Sequence, residues 1–308
     1  MKIHFDNVNL NAKTGPNVFA SRLAKALFEE GIEVEFSSNN CDISLVFIEP
    51  SGAELSKKIV QRLDGVWFKP EEFEYKNKKI KQLYDSSDYV IWQSEFDKNM
   101  CQNWWGNKFG TVIYNGIEIQ PKKQITNPQI QALRSKYKNI YVCSANWHKQ
   151  KRLKQNIEFF LSLHAQQKDN CLIVLGSNPD YYVNSQNIFY TGSVPEEVYS
   201  EIYAIADWMI HLAWADHCPN TVIEALSQGT PVVCSSVGGT KELIGNYGLI
   251  IEDEEYNFEL YDYDNPPKLV IPNNISLQKR IELDYTSIAN IDIKHTVKSY
   301  IEVFKRII

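Results

Sequence analysis

The stretch HLAWADHCPNTVIEALSQGTPVV, residues 211–233, decides the fold. It begins at the end of an apolar run, Trp208–Leu212, turns through Asp216 and His217, and enters a helix at Pro219. Proline suits the first helical position, where its missing N–H would have no intrahelical partner. Gly229 ends that helix, and the apolar run Val232–Ser235 follows. Strand, polar loop, helix and strand in so short a span is the alternation of a parallel sheet. The free N–H groups and positive end of the helix starting at Pro219 make an anion site. Asp216 lies in the loop before it, and Glu224 about one turn inside it.

The same alternation extends toward both ends. Upstream, the second half of the chain predicts strands at Ile140–Ser144, Cys171–Leu175 and Ile188–Thr191, with helices at Leu153–His164 and Glu196–Ile205. Downstream, Leu249–Ile251 continues the pattern, and Glu252–Ser276 reads as a long ordered loop, acidic, aromatic and proline-containing. The first half predicts strands at Met1–Phe5, Glu33–Phe36, Ile43–Ile48, Tyr89–Gln93 and Thr111–Tyr114, helices at Gly15–Glu30 and Glu95–Trp104, and a helix-like segment over Glu54–Arg62. The polar stretch Glu118–Asn127 divides the halves. The chain therefore reads as α/β, two Rossmann-like doubly wound parallel-sheet domains facing a cleft. Residues 1–127 form the first and 128–292 the second. The last helix, 293–308, carries Val297, Tyr300, Ile301, Phe304 and Ile308 on one face and is expected to pack back on the first domain. In such sheets ligands bind beyond the carboxyl ends of the strands, which here line the cleft.

The 308 residues suffice for two cores, and the net charge of −6 gives no basic field for nucleic acid, so no stable nucleic-acid binding is expected. No apolar run is long enough to span a membrane; peripheral contact stays open, and the oligomeric state is not legible. The six cysteines form no CxxC clip and fit buried thiols in a reducing, cytoplasmic setting. The six histidines show no metal-ligand spacing, and Asp262 and Asp264 lie in the late loop rather than at a strand end. No metal is expected.

Residues 211–251 resemble the acid-x7-Glu region of the family 4 retaining glycosyltransferases, which have the GT-B fold. Asp216 and Glu224 stand as the acidic pair, followed by Ala225-Leu226, Gly229, Pro231-Val232-Val233 and Gly238-Gly239-Thr240-Lys241-Glu242. The resemblance implies that Asp216 lies near the donor sugar and that Glu224 binds the nucleotide ribose. It also implies that His217, Cys218, Pro219, Asn220 and Thr221 cradle the diphosphate and sugar hydroxyls.

Further segments resemble the same family. The run Ser144–Lys154 is similar to its basic phosphate site, with Lys151 at the family's Lys and Arg152 in place of its Gly; Arg152 is the expected second cation, with Lys149 behind it. Thr191, Gly192 and Val194 match the loop bordering the donor base, and Gly15 the turn opening the first helix. On the acceptor side Asp64 stands where the family carries a His.

The implied activity is retaining transfer of a sugar from a UDP- or GDP-sugar to an acceptor hydroxyl, without an essential cofactor. A nucleotide-sugar epimerase of the same fold, a non-catalytic sugar-nucleotide-binding protein, and a transferase acting on modified DNA bases are the alternatives.

Overall fold

The computed structural model describes residues 1–120, 122–273, 275, 277 and 285–308, and the side chains of 285–287 are not part of that description. Positions 274 and 276 of the late loop and 121 of the linker thus lie outside the described residues.

Two six-stranded parallel sheets carry the fold. The first contains β1 (Lys2–Asp6), β2 (Glu33–Glu35), β3 (Ile43–Phe47), β4 (Lys58–Leu63), β5 (Tyr89–Trp92) and β6 (Gly110–Val112), in the order β2-β1-β3-β4-β5-β6. The second contains β7 (Asn139–Ser144), β8 (Asn170–Leu175), β9 (Ile188–Gly192), β10 (Trp208–His211), β11 (Val232–Ser235) and β12 (Gly248–Ile251), in the order β12-β11-β10-β7-β8-β9. Helices on both faces explain why β3 and β8 are buried at every position and read as unbroken apolar runs.

The helices are α1 (Gly15–Glu29), α2 (Phe73–Ser86), α3 (Glu95–Trp105), α4 (Pro128–Lys136), α5 (Leu153–Gln166), α6 (Glu196–Ile205), α7 (Asn220–Ser227), α8 (Thr240–Ile244) and α9 (Ile293–Ile307). Sequence reading misses α2 and α4, and it takes Glu54–Arg62 as helix-like where the chain forms β4. The cause is polarity inside a central strand. Gln61 and Arg62 are buried, and Gln61 donates from Nε2 to the carbonyls of Ile48 and Ile80 at 2.8 and 3.0 Å. Satisfied in this way, a polar residue sits in a sheet core that pattern reading reserves for apolar ones.

The chain crosses between domains at two adjacent places. Ile117 N–H donates to the Ile291 carbonyl, and Ile293 N–H to the Ile117 carbonyl, both at 2.9 Å. Gly116 is required there: a Cβ would lie 2.5 Å from Thr296 Oγ1 and 2.8 Å from Ile293 Cα. Beyond the crossing, α9 buries Ile293, Val297, Tyr300, Val303 and Phe304 in the core of the first domain beside α1. In the other direction, Thr126 and the Asn127 N–H bond to Glu201 of α6 at 2.6 and 2.9 Å, so the linker joins the second domain before α4 begins.

A third connection comes from the segment after β12. Tyr256, Phe258, Tyr261 and Tyr263 pack on a cluster that contains Phe68 and Trp92 from the first domain and Trp214 from the second. Tyr261 N–H donates to the Phe68 carbonyl at 2.8 Å, and Lys69 meets Asp264 at 2.6 Å.

Because α9 supplies so much of the first core, Phe304→Ala should lower stability by about 3–5 kcal/mol through loss of a buried ring. Denaturant unfolding checks this, and a loss below about 1 kcal/mol would show that α9 is not part of that core.

Candidate active site

Asp216 organises the carboxyl edge of the second sheet. The chain leaves β10 at His211, passes Ala215 at φ +52°, and returns beside the loop after β11. There Asp216 bridges Gly238, and its carbonyl accepts the Gly239 N–H at 2.8 Å. Side chains are excluded at this crossing: a Cβ on Gly239 would lie 1.9 Å from the His217 carbonyl oxygen. The Asp216 carboxylate receives Lys151 Nζ at 2.5 Å and faces His211 Nε2 at 3.1 Å, both on Oδ2. Burial opposes its ionisation, but Lys151 and His211 outweigh that and hold it well below the usual carboxylate range.

Lys151 ends a short 3-10 turn, Lys149–Lys151, that follows β7. The next residue, Arg152, is left-handed, at φ 51° and ψ 48°. That conformation costs a non-glycine residue roughly 1–2 kcal/mol. Here the guanidinium lies inside the domain, 2.5 Å from Asp253 Oδ2 and 2.5 Å from the Pro267 carbonyl. Arg152 is therefore not brought to the Lys151–Asp216 pair: it ties the segment after β12 to α5. Lys149 is exposed and paired with Asp180 at 3.0 Å.

Helix α7 starts one residue later than expected. Pro219 is its extended N-cap rather than its first helical residue, and Asn220 begins the helix. Cys218 is buried, and Thr221 and Asn220 are partly exposed. Asn220 joins the domains: its Oδ1 accepts from Asn115 Nδ2 and its Nδ2 donates to the Gly15 carbonyl, both at 3.0 Å. Gly15 thus touches the site through its backbone, and a Cβ there would meet nothing nearer than 3.7 Å. Glu224 is nearly buried, and its Oε1 accepts from Arg22 of α1 at 2.7 Å. Burial pushes its carboxyl up, with Arg22 opposing. Thr191 and Gly192 lie exposed at the end of β9, and Val194 packs partly against the second core.

Across the cleft, Asp64 pairs with the buried Arg62, whose Nη2 also donates to Asn115 Oδ1 at 2.5 Å. Gly65 lies against His217: at φ +118° it leaves room where a Cβ would stand 2.4 Å from Nε2. His217 Nδ1 is 3.7 Å from Oδ1 of Asp97, a fully buried carboxyl on α3. Burial pushes the His217 imidazole down to about 4 and the Asp97 carboxyl up to about 7. Glu242 of α8 closes the same interface, accepting the N–H groups of Glu95 and Phe96 at the start of α3 at 2.7 and 2.8 Å.

Residues 125–257 match the family model of the glycosyl transferases group 1. This second domain is a group 1 glycosyltransferase domain. O-antigen chain mannosyltransferase B of Escherichia coli is 34% identical over 68 residues, which is 22% of this chain and only 18% of that relative. Among solved structures, sucrose-phosphate synthase of Thermosynechococcus elongatus superposes with a TM-score of 0.70 at 13% identity, covering 99% of this chain and 98% of that one. HepE of Anabaena in complex with UDP-glucose gives 0.67 at 15% identity, covering 99% and 100%. The similarity of fold thus covers both domains, and the architecture is GT-B.

Of the residues gathered at this edge, sequence reading names Lys151, Asp216 and Glu224 but not Arg22, Arg62, Asp97 or the pairing of His211 with Asp216. His211 carries one available signal, as the last strand residue five positions before Asp216.

Asp97 gives a pH test. An unfolded Asp titrates near about 3.9, and Asp97 in the folded chain at about 7. Its contribution is fully present below the unfolded value and is lost as pH rises through the folded one. Asp97→Asn stays neutral, so it should gain stability relative to wild type as pH rises from about 4 to about 7. Parallel Tm–pH curves for the two proteins would contradict this.

Proposed function

We propose that the protein transfers a sugar from a nucleoside diphosphate sugar to an acceptor hydroxyl with retention at the anomeric carbon. The observation that carries the reading is the Lys151–Asp216–His211 cluster at the carboxyl edge of the second sheet, beside the start of α7 and Glu224. The group 1 family match and the UDP-glucose complex of HepE support the donor class.

The donor lies on the second domain. Glu224 receives the ribose hydroxyls, and the loop at Thr191, Gly192 and Val194 borders the base. The diphosphate rests between Lys151 and the first turn of α7, where backbone N–H groups lack intrahelical partners. Asp216 holds Lys151 in place and meets the sugar. As the sugar–phosphate bond breaks, charge grows on the diphosphate, and the Lys151 ammonium stabilises it. The acceptor enters from the first domain, beside Asp64 and His217. Its hydroxyl attacks from the face the diphosphate leaves, and the departing phosphate oxygen takes the proton. His217, pushed down to about 4, is neutral at pH 7 and can exchange hydrogen bonds with sugar hydroxyls. Lys151 supplies the positive charge, so no essential metal is assigned.

A panel of UDP- and GDP-sugars, assayed for transfer and for release of altered donor without acceptor, tests the reading. Lys151→Ala should lower kcat about 10²–10³-fold, with a smaller change in KM, because the charge it meets grows in the transition state. Activity should survive EDTA. A KM effect alone would limit Lys151 to donor binding, and loss on chelation with recovery on Mn²⁺ would overturn the metal-free mechanism.

A further inference from the structure

Arg22 belongs to the first domain, yet its guanidinium ends on a carboxylate of the second. The side chain leaves α1 and places Nη2 2.7 Å from Glu224 Oε1, an ion pair with both side chains largely out of water. The contact follows from how α1 and α7 are held. The Asn220–Gly15 hydrogen bond pins the first residue of α1 to the first residue of α7. From there Arg22 lies seven residues along α1, about 10 Å at 1.5 Å per residue, and Glu224 four along α7, about 6 Å. A long arginine side chain spans that difference.

The pair borders a cavity of about 770 Å³ between the domains, walled by α1, α6, α7, α9 and the linker. Tyr199 of α6 and Lys123 of the linker line it with them. Arg22 makes its ion pair through Nη2 alone. Its other terminal nitrogen, Nη1, is buried and makes no well-formed hydrogen bond among the described residues, with the Tyr199 side chain as its neighbour. A buried guanidinium N–H without a good acceptor is costly. An oxygen-rich ligand in the cavity would relieve that cost.

On the donor-site reading above, we infer that Arg22 is a positioning residue supplied by the first domain, which holds the Glu224 carboxylate for the ribose hydroxyls and offers Nη1 to the same nucleotide. An arginine fits because its planar fork can hold the carboxylate with one nitrogen and a ligand oxygen with the other. Donor binding and the closed arrangement of the two domains then support each other, since the site is complete only when α1 lies against α7. Sugar-nucleotide selectivity for ribose becomes a property of both domains.

Calorimetric titration of the full chain with UDP, GDP and their 2′,3′-dideoxy analogues tests this. Wild type should bind one of the ribonucleotides at least about tenfold more tightly than its dideoxy form, the size expected for one charge-assisted hydrogen bond. Arg22→Met should weaken the ribonucleotide about tenfold and leave the dideoxy analogue nearly unchanged, and Arg22→Lys should recover part of the preference. Loss for both ligands alike would mean a general disturbance of the site and would overturn the inference. Equal or tighter ribonucleotide binding by Arg22→Met would overturn it too, showing that Arg22 is a bystander or competes for Glu224. If wild type binds none of the four, the donor-site reading falls, and the inference with it.

Discussion

The ionised carboxylate of Asp216 is the constraint on which the cleft is built. A charge withdrawn from water costs several kcal/mol unless it is paired and hydrogen-bonded. Lys151 arrives from the turn after β7 and His211 from the end of β10, so two strands of one sheet converge on a single oxygen. The backbone adapts to the same demand. Gly238 and Gly239 let the loop after β11 close on residues 216 and 217, and Gly239 also stands where a Cβ would meet Ser94 of the first domain at 2.7 Å. A local requirement at one carboxylate thereby sets how closely the two domains approach.

The interface then divides into two kinds of contact. Near the linker it is polar: Asn115 with Asn220, Arg22 with Glu224, and Glu242 with the first N–H groups of α3. Such bonds exchange for water at a net cost of about 0.5–1.5 kcal/mol each, with charged ones higher. Near Trp214 it is aromatic, with Phe68, Tyr256 and Tyr261 around the indole and Tyr263 against Phe68. Separating those rings would expose large apolar surface. On the polar side, Arg22 and Glu224 line the cavity between α1, α6, α7, α9 and the linker.

Much of this was legible in the sequence. Parallel strands announce themselves as short apolar runs between helical periods, and most of those expected here are present, as at β3, β7 and β8. Lys151, Asp216 and Glu224 were singled out through their resemblance to a family motif, and Lys151 and Asp216 meet although 65 residues apart. Arg152 was read as a phosphate ligand because it follows Lys151, but its left-handed backbone turns the side chain inward to Asp253, 101 residues away. β4 was obscured by buried Gln61 and Arg62, whose partners lie on other elements. Arg22 had no local signal at all: Glu224 is 202 residues distant, and one arginine on an amphipathic helix reads as its solvated face. Motifs report local geometry, whereas contacts across the cleft depend on how two domains meet.

The account places the nucleotide on the second domain through the Glu224 carboxylate. Isothermal titration of whichever of UDP and GDP binds wild type, repeated with Glu224→Gln, tests that claim most directly. Loss of a charged hydrogen bond predicts about 1.5–3 kcal/mol, roughly a 10- to 150-fold rise in Kd, read well below the thermal transition because the substitution also removes the charge that pairs with Arg22. An unchanged Kd would contradict the placement of the donor.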